Sequence, residues 1–351
     1  MKAVLWHKAE EIRVENLPEP SPGPGQIKLK VKRVGICGTD LHEYLKGPIF
    51  IPTEPHPLTG LKAPITLGHE FCGEVVAVGK GVTGIAEGAR AAVDACIYCG
   101  TCWYCRQGYY VLCDQVAFTG LAAHGAMAEY TVVPAYAAYP LPNTISDEIG
   151  ALVEPISVAV HAMRKAELQQ GDTVAVLGAG PIGLVTTMVA RASGAARVFV
   201  IEKARARMDQ ARALGATAVL DPAAGSPIEQ VRDLTNGRGA DIVFECIGHK
   251  DTAPLAVELV RKGGKAVIVG IFEEPSLFSF NNLILGEKQI RSALGYVGEF
   301  ATTIQLIADG RLQPQSLITG CIRLDDVVEK GFLELIHHKD RQVKILIDPQ
   351  V

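Results

Sequence analysis

Five of the nine cysteines lie close together in one short stretch, and this feature constrains the fold more than any other. They are Cys96, Cys99, Cys102, Cys105 and Cys113. Thiols at this density are typical of a metal site rather than of disulfides, unless the chain carries a secretory signal. A loop that doubles back can supply the four tetrahedral ligands that Zn²⁺ requires. The sequence therefore predicts a zinc-binding loop whose metal is structural, with one cysteine left over.

Two alternatives compete for the same cysteines. The even spacing from Cys96 to Cys105 is also compatible with an iron–sulfur cluster. The bacterial cluster motif, however, lengthens its third gap and places proline after its last cysteine, and neither feature is present here. A redox-active or disulfide-bonded loop is the other alternative. Zinc remains the favoured hypothesis.

Composition restricts the class of protein. A chain of 351 residues is long enough for two domains that each bury a core, and 48% hydrophobic residues with 36 glycines are typical of a soluble α/β enzyme. The net charge of −4 gives no basic surface, so no nucleic-acid partner is expected. Residues 1–8 are too charged for a signal peptide, so we expect a cytoplasmic protein.

Residues 173–190 carry no charge and approach the length of a membrane span. Gly178, Gly180, Pro181 and Gly183 lie in the middle of this run, where they divide it into a strand, a turn and a helix. We therefore expect no association with a membrane.

The pattern of apolar residues changes along the chain. Short alternating runs over the first 140 residues predict an all-β lobe. From residue 147 onward, helical patterns alternate with short apolar strands at 173–177, 197–201, 218–220, 242–246 and 265–269. Such alternation predicts a doubly wound parallel sheet. The last apolar run, 343–347, is placed back in the β lobe. The predicted domains are 1–153, completed by 293–351, and 154–292.

A glycine-rich motif follows the first of these apolar strands and opens a helix. Its residues are Gly178, Ala179, Gly180, Pro181, Ile182 and Gly183. In a dinucleotide site the first glycine makes the turn, the second admits the pyrophosphate, and the third allows close packing of helix and strand. The free N–H groups of the helix N-terminus then face the phosphates. The motif predicts a dinucleotide cofactor.

Glu202 strengthens this prediction and selects between the two cofactors. It lies about 20 residues beyond the last glycine, where an acidic side chain accepts hydrogen bonds from the ribose. Its charge would repel a 2′-phosphate, which favours NAD over NADP. Lys203, Arg205 and Arg207 could bind such a phosphate, but a solvated helix start is the favoured interpretation of these three cations.

Four segments resemble the zinc-dependent medium-chain dehydrogenase/reductase family. They are Cys99-Gly100-Thr101-Cys102-Trp103-Tyr104-Cys105 with Gly108 and Cys113, Cys37-Gly38-Thr39-Asp40-Leu41-His42, Gly68-His69-Glu70, and Val153-Glu154-Pro155. The resemblance covers essentially the whole chain. It implies a GroES-like β-rich catalytic domain with a Rossmann domain, and two zinc ions per subunit. It also implies that Cys99, Cys102, Cys105 and Cys113 bind the structural zinc and that Cys96 is a bystander.

The resemblance further implies a catalytic zinc bound by Cys37 and His69, with Glu70 and Glu154 supplying the remaining oxygen. One thiolate and one carboxylate already neutralise Zn²⁺, so we expect one glutamate at a time as a ligand.

Other roles follow from the same resemblance. Thr39 takes the substrate proton and His42 passes it to solvent, while Arg207 packs against the adenine. An alcohol would thus be oxidised by hydride transfer to NAD.

The substrate is predicted from two further segments. Residues 43–52 and 55–59 resemble the corresponding loop of (R,R)-2,3-butanediol dehydrogenases more than that of sorbitol, xylitol or threonine dehydrogenases. Gly295 precedes Tyr296 where polyol dehydrogenases carry an arginine, which suits a smaller and less polar substrate. A vicinal diol or the corresponding hydroxyketone is therefore expected, with polyols or threonine as the alternative.

A non-catalytic, nucleotide-binding structural protein on the same fold is a remote alternative, because such a protein has no reason to keep the catalytic residues together. A homo-oligomer, dimer or tetramer, is expected.

Overall fold

The strands form four sheets in the computed structural model, which describes residues 1–351. The strands are β1 (Lys2–Lys8), β2 (Glu11–Asn16), β3 (Gln26–Gly35), β4 (Ile65–Thr66), β5 (Glu70–Val78), β6 (Arg90–Val93), β7 (Cys96–Ile97), β8 (Ala117–Phe118), β9 (Tyr130–Pro134), β10 (Ala138–Pro140), β11 (Thr173–Leu177), β12 (Arg197–Ile201), β13 (Ala218–Leu220), β14 (Ala240–Glu245), β15 (Val260–Ile268), β16 (Gln289–Ser292), β17 (Ile318–Arg323) and β18 (Lys344–Asp348).

The α-helices are short, and most connect neighbouring strands. They are α1 (Gly38–Lys46), α2 (Trp103–Arg106), α3 (Asp147–Gly150), α4 (Val153–Ala166), α5 (Pro181–Ala192), α6 (Arg205–Ala213), α7 (Pro227–Leu234), α8 (Thr252–Leu259), α9 (Phe280–Ile284), α10 (Phe300–Ala308) and α11 (Leu333–His337). None of them is both long and apolar enough to cross a membrane.

The chain forms two units. The first consists of Met1–Glu154, Phe300–Asp309 and Ile318–Val351, and the second of Pro155–Glu299 and Gly310–Leu317. The chain thus returns to the first unit at Phe300, a few residues later than the position 293 expected from the sequence. A short segment before β17 belongs to the second unit.

The first unit is rich in β-structure, as predicted. One sheet has the order β2-β1-β4, and a larger sheet has the order β10-β6-β5-β3-β18-β17, with β9 also paired to β3. The C-terminal strand β18 pairs antiparallel with the end of β3, through Leu346 opposite Gly35. Trp6 on β1 and Phe71 on β5 are buried in the core of this unit, and Phe332, from the helical segment before α11, packs in the same core.

The second unit contains six parallel strands in the order β13-β12-β11-β14-β15-β16. This is the strand order of a dinucleotide-binding doubly wound sheet, in which the first strand of the unit lies at the centre. All five residues of that strand, β11, are buried. The apolar run 173–190 is divided into β11, a turn and α5, so the predicted fold class is confirmed.

Candidate zinc and cofactor sites

The cysteine loop lies between β7 and β8. The ligand atoms of Cys99, Cys102, Cys105 and Cys113 all lie within 4.8 Å of one another. The sulfurs of Cys99 and Cys105 are 4.0 Å apart. Four sulfurs at tetrahedral corners around zinc, each about 2.3 Å from the metal, are separated by about 3.8 Å. The loop therefore fits a tetrathiolate zinc with little adjustment.

Backbone N–H groups stabilise the thiolate form of these cysteines. The N–H groups of Thr101 and Cys102 point at the Cys99 sulfur at 3.4 and 3.3 Å. The Thr101 hydroxyl adds a third donor at 3.5 Å, and together these hydrogen bonds lower the pKa of Cys99 to about 6. Cys96 is buried on β7 outside this group, and burial raises the pKa of its thiol far above the usual range.

A second group of potential metal ligands lies where β3, β5 and α1 meet. Gly35 at the end of β3 is opposite Glu70 at the start of β5, so the residues flanking these strand ends come together. The ligand atoms of Cys37, His69 and Glu70 lie within 4.8 Å of one another. Thiolate, imidazole and carboxylate are the donor set of catalytic zinc sites, which keep one position open.

The carboxylate of Asp40 faces the histidine of this group. Its carboxylate is fully buried, and one oxygen accepts a hydrogen bond from the Cys37 N–H at 2.9 Å. The other oxygen lies 3.6 Å from His69 Nδ1, and neither of these two atoms has a hydrogen-bond partner. Because Nδ1 faces Asp40, Nε2 is left for a metal, the arrangement in which a carboxylate fixes the ligand tautomer. Burial raises the pKa of Asp40 to about 6.

Glu70 is paired with Lys344, a residue that the sequence analysis did not identify. The Lys344 ammonium lies 2.8 and 2.5 Å from the two carboxylate oxygens and donates to the Ile36 carbonyl at 2.9 Å. Burial lowers the pKa of Lys344, but the carboxylate of Glu70 and the thiolate of Cys37 together raise it above its usual value. The ion pair therefore neutralises Glu70 inside the unit.

Glu154 lies in the first turn of α4 and is 9% exposed. It lies outside the tight group formed by Cys37, His69 and Glu70. Burial lowers the pKa of both His69 and Lys344, whereas the surrounding negative charges raise it, and Glu154 is one of those charges in both cases, so it lies close to them. The Lys344 ammonium lies at hydrogen-bond distance from both carboxylate oxygens of the other glutamate, Glu70.

Helix α1 carries the two residues expected to move the proton. Cys37 is the residue before its first turn, and the Thr39 hydroxyl lies 3.7 Å from the Cys37 sulfur. His42 follows three residues later, and this spacing places it on the same side of the helix as Thr39. The His42 side chain is half-buried. The helix thus places a hydroxyl next to Cys37 and an imidazole one turn further along.

The glycine-rich turn between β11 and α5 has the geometry that the motif predicts. Gly178 has a positive φ of 88°, which only glycine adopts without strain. A Cβ on Gly183 would lie 1.9 Å from the Gly178 carbonyl oxygen, so this position must be glycine as well. Gly180 precedes α5, Pro181 and Ile182 form its first turn, and the free N–H groups of that turn can receive a phosphate.

Glu202 follows β12 and reaches back to this turn. One carboxylate oxygen accepts a hydrogen bond from the Ala179 N–H at 2.8 Å, and the other accepts from the N–H groups of Lys203 and Ala204. The Arg207 guanidinium lies about 4 Å from the position of a Cβ on Gly180. The residues predicted to bind the cofactor thus lie together at one edge of the sheet.

The comparisons with known proteins agree with this geometry. Residues 23–143 match the family described as alcohol dehydrogenase GroES-like domain, and residues 181–309 match the family described as zinc-binding dehydrogenase. The chain is 40% identical over 351 residues to the (R,R)-butanediol dehydrogenase of Bacillus subtilis, and the match covers 99% of this chain and 100% of the relative.

Two further comparisons extend this result. Sorbitol dehydrogenase of Bacillus subtilis is 32% identical, over 99% of this chain and 97% of the relative. The crystal structure of 2R,3R-butanediol dehydrogenase from Bacillus subtilis superposes with a TM-score of 0.93 at 40% identity, covering 99% of each chain.

These findings define the class of protein. The chain belongs to the zinc-dependent alcohol dehydrogenases of the medium-chain dehydrogenase/reductase family. It is an oxidoreductase whose cofactors are zinc and NAD, which confirms the family, the enzyme class and the cofactors predicted from the sequence.

Two positioning residues were missed by the sequence analysis. Lys344 is a single cation within the apolar run 343–347, so the burial of Lys344 could have been inferred from the sequence. A buried lysine requires an acidic partner, but the sequence does not show which acidic residue is that partner. Asp40 lies inside the recognised Cys37 segment, three residues from the cysteine. Its orienting role becomes visible only when His69 is brought beside it.

Proposed function

We propose that the protein oxidises a vicinal diol to the corresponding hydroxyketone with NAD, and that the substrate is 2,3-butanediol with acetoin as its product. The observation that carries the proposal is the full-length similarity to a butanediol dehydrogenase at 40% identity. The presence of Cys37, His69 and Glu154 in one unit supports a catalytic zinc, and Gly295 supports a pocket without a charged side chain for distant hydroxyls.

The proposed assignment of ligands follows from charge. Cys37 and His69 would bind the catalytic zinc, and Glu154 would supply the carboxylate that neutralises it. Glu70 would remain outside the coordination sphere while its charge is balanced by Lys344. In the loop, Cys99, Cys102, Cys105 and Cys113 would bind the structural zinc, giving two zinc ions per subunit.

The proposed mechanism assigns the proton to α1. When bound, zinc would lower the pKa of the substrate hydroxyl, and NAD would accept the hydride. The Thr39 hydroxyl would accept the hydroxyl proton and pass it on towards His42, which exchanges it with solvent. Asp40, whose carboxylate faces His69 Nδ1 at 3.6 Å, would favour the orientation of the imidazole that leaves Nε2 for the metal. Glu202 binds the ribose hydroxyls, and Arg207 packs against the adenine.

A polyol dehydrogenase is the second candidate, because a sorbitol dehydrogenase is also similar to the full chain. The experiment that separates the two is a steady-state panel of (R,R)-2,3-butanediol, acetoin, sorbitol, xylitol and L-threonine with NAD and NADP. We expect kcat/KM for butanediol and acetoin to exceed that for sorbitol by at least about 10²-fold, and NAD to be preferred over NADP. Equal activity on sorbitol and butanediol would contradict the proposal.

We further propose that the protein is a homo-oligomer. Several large apolar side chains of the second unit are exposed near the edge strand β16, namely Leu277, Phe280, Ile284, Leu285, Ile290 and Leu294. An open edge strand flanked by apolar side chains is a surface on which a second copy of the chain can pair. Sedimentation velocity is expected to give a mass of two or four chains, and a monomer at micromolar concentration would contradict this.

We also propose that the protein is located in the cytoplasm. Four cysteines of the loop must remain thiolates to bind zinc, and reducing compartments keep cysteines in that state.

A further inference from the structure

A cavity of about 630 Å³ lies in the second unit, where the strands β14, β15 and β16 begin. The last turn of α7, the turn after this helix, the start of β15 and the segment from α9 to β16 line it. The glycine-rich turn and Glu202, by contrast, follow the carboxyl ends of β11 and β12. Because these strands are parallel and the six residues of β14 span about 20 Å, the cavity and the cofactor turn lie at opposite ends of the sheet.

Five cations line this cavity, and no carboxylate lines it. They are Arg232, Arg238, Arg261, Lys262 and Lys288. The whole chain has a net charge of −4, so the positive charge of this region is opposite in sign to that of the protein. A concave region that is lined by charges of one sign attracts ions of the other sign.

Two carboxylates beside the cavity balance part of this charge. Asp241 lies 2.5 Å from the Nε atom of Arg261, and Glu258 lines an adjoining hollow together with Arg232 and Lys288. Burial, and then the positive charge of Arg232, lower the pKa of Lys288, and Glu258 offsets only part of this effect. The cations therefore exceed the nearby carboxylates and repel one another.

Two of the five cations have no partner within the protein. The side chains of Arg232 and Lys262 are exposed and make neither a hydrogen bond nor an ion pair. Arg238, in contrast, donates from Nε to the Thr235 carbonyl at 3.3 Å, and the Lys288 ammonium donates to the Val257 carbonyl at 2.6 Å. Arg232 and Lys262 are thus available to a ligand without the loss of a structural contact.

We propose that this cavity binds the polyphosphate group of a small molecule, either a nucleoside polyphosphate or an inorganic polyphosphate. Guanidinium groups bind phosphate oxygens through two parallel hydrogen bonds, and three of the five cations are arginines. A single phosphate group carries about 1.5 to 2 negative charges at pH 7, so linked phosphates are needed to balance the excess of cations. The volume lies within the range of about 300–1,000 Å³ that is typical of small-molecule sites.

The site is adjacent to the surface proposed above for the pairing of two copies. Leu285 lines the cavity and also belongs to that apolar surface. Arg232, Arg238, Arg261 and Lys262 lie on other elements, namely α7, the turn after it and β15. Binding is therefore measured on the protein in the oligomeric state in which it is purified.

The experiment is equilibrium dialysis of the zinc-loaded protein against radiolabelled ATP at saturating NAD. NAD occupies the cofactor turn, whose helix N-terminus also binds phosphates, so any further binding occurs elsewhere. Saturable binding of one ATP per chain is expected. Inorganic triphosphate is then titrated against bound ATP. Displacement at similar concentrations would show that the phosphates alone are recognised, and a requirement for at least about tenfold more triphosphate would show that the nucleoside contributes. The absence of saturable binding of both compounds would overturn the proposal.

Two variants and a matched control locate the site. Arg232→Gln and Lys262→Gln are each expected to weaken ATP binding about tenfold, the effect of losing one hydrogen bond to a charged group. Both are expected to leave kcat and KM for NAD unchanged. Lys165→Gln makes the same change at an exposed lysine of α4, which belongs to the same unit but does not line the cavity, and it is expected to bind ATP like the parent protein.

Two results with these variants would overturn the proposal. Unchanged ATP binding in both cavity variants would place the bound ATP elsewhere on the protein. An equal loss in all three variants would show a diffuse attraction between ATP and the cations of the unit rather than a site. The two cavity variants lie on different elements, so the test remains decisive if one of them does not fold.

Discussion

Replacing Lys344 with methionine is expected to destabilise the metal-free protein by about 3–5 kcal/mol, because it leaves the Glu70 carboxylate buried without its counterion. Both side chains are almost completely buried, at 3% and 1% exposure, and the ammonium contacts both carboxylate oxygens. The lost Coulomb attraction is therefore weakly screened by solvent. Urea unfolding of the chelator-treated protein measures the loss.

Two further variants identify the cause. Lys2→Met removes an ion pair with Asp325 in the same unit, whose side chains are 48% and 47% exposed, and is expected to leave the stability nearly unchanged. Combining Lys344→Met with Glu70→Gln removes both charges and is expected to restore much of the lost stability. If the double variant were as unstable as Lys344→Met alone, lost packing rather than unpaired charge would be responsible.

The same substitution is expected to lower kcat. With Lys344 absent, the negative charge of Glu70 would no longer be balanced, and a second carboxylate beside a bound zinc would weaken the ability of the metal to polarise an oxygen. Changes of groups that support metal ligands typically cost 10–100-fold in affinity or activity, and we expect a loss of kcat in that range. Unchanged kcat in a fully zinc-loaded Lys344→Met variant would show that Lys344 acts on stability alone.

Much of the fold could be predicted from the sequence because its elements carry local signals. The strands at 173–177, 197–201 and 218–220 are bounded by glycines and helical patterns, and the structure has them at those residues. The strand expected at 265–269 begins earlier, at Val260, because pairing with β14 extends it across two glycines that locally favour a turn. Pairing between distant segments, which no local pattern records, decided this boundary.

The sites were predictable to a similar degree. The cysteine loop and the glycine-rich turn are contiguous segments, so their candidate residues lie together in the sequence. The choice of four cysteines among five came from the resemblance to the dehydrogenase family. The contacts of Glu70 with Lys344 and of His69 with Asp40 join residues from distant parts of the chain or from different motifs. Glu43 was noted only as part of a loop, because the sequence does not show that this carboxylate is buried. The sequence therefore indicated candidate chemical groups but not the residues that contact them from distant segments.

Replacing Cys105 with serine is expected to release one of two zinc ions and to lower the melting temperature by at least about 10 °C. Structural zinc contributes on the order of 10–16 kcal/mol to the folding of small zinc-binding peptides, and even a fraction of that is large for a unit of this size. The remaining three thiolates at 99, 102 and 113 would be held close together without a metal and would repel one another. Metal analysis and calorimetry of the purified variant measure the two effects.

The matched control for this substitution is Cys96→Ser, which makes the same chemical change in the same lobe. The Cys96 sulfur lies 4.0 Å from the Tyr110 carbonyl oxygen, which is too long a distance for a serine hydroxyl to donate to that oxygen. Cys96→Ser is therefore expected to keep both zinc ions and to lose about 1–3 kcal/mol for the buried hydroxyl, so the retained zinc is the result that separates it from Cys105→Ser. If Cys96→Ser lost a zinc ion and Cys105→Ser kept both, the fifth cysteine would be a ligand and Cys105 the bystander. The geometry opposes that exchange, because the Cys105 sulfur lies within tetrahedral reach of Cys99, whereas Cys96 lies outside the group of four.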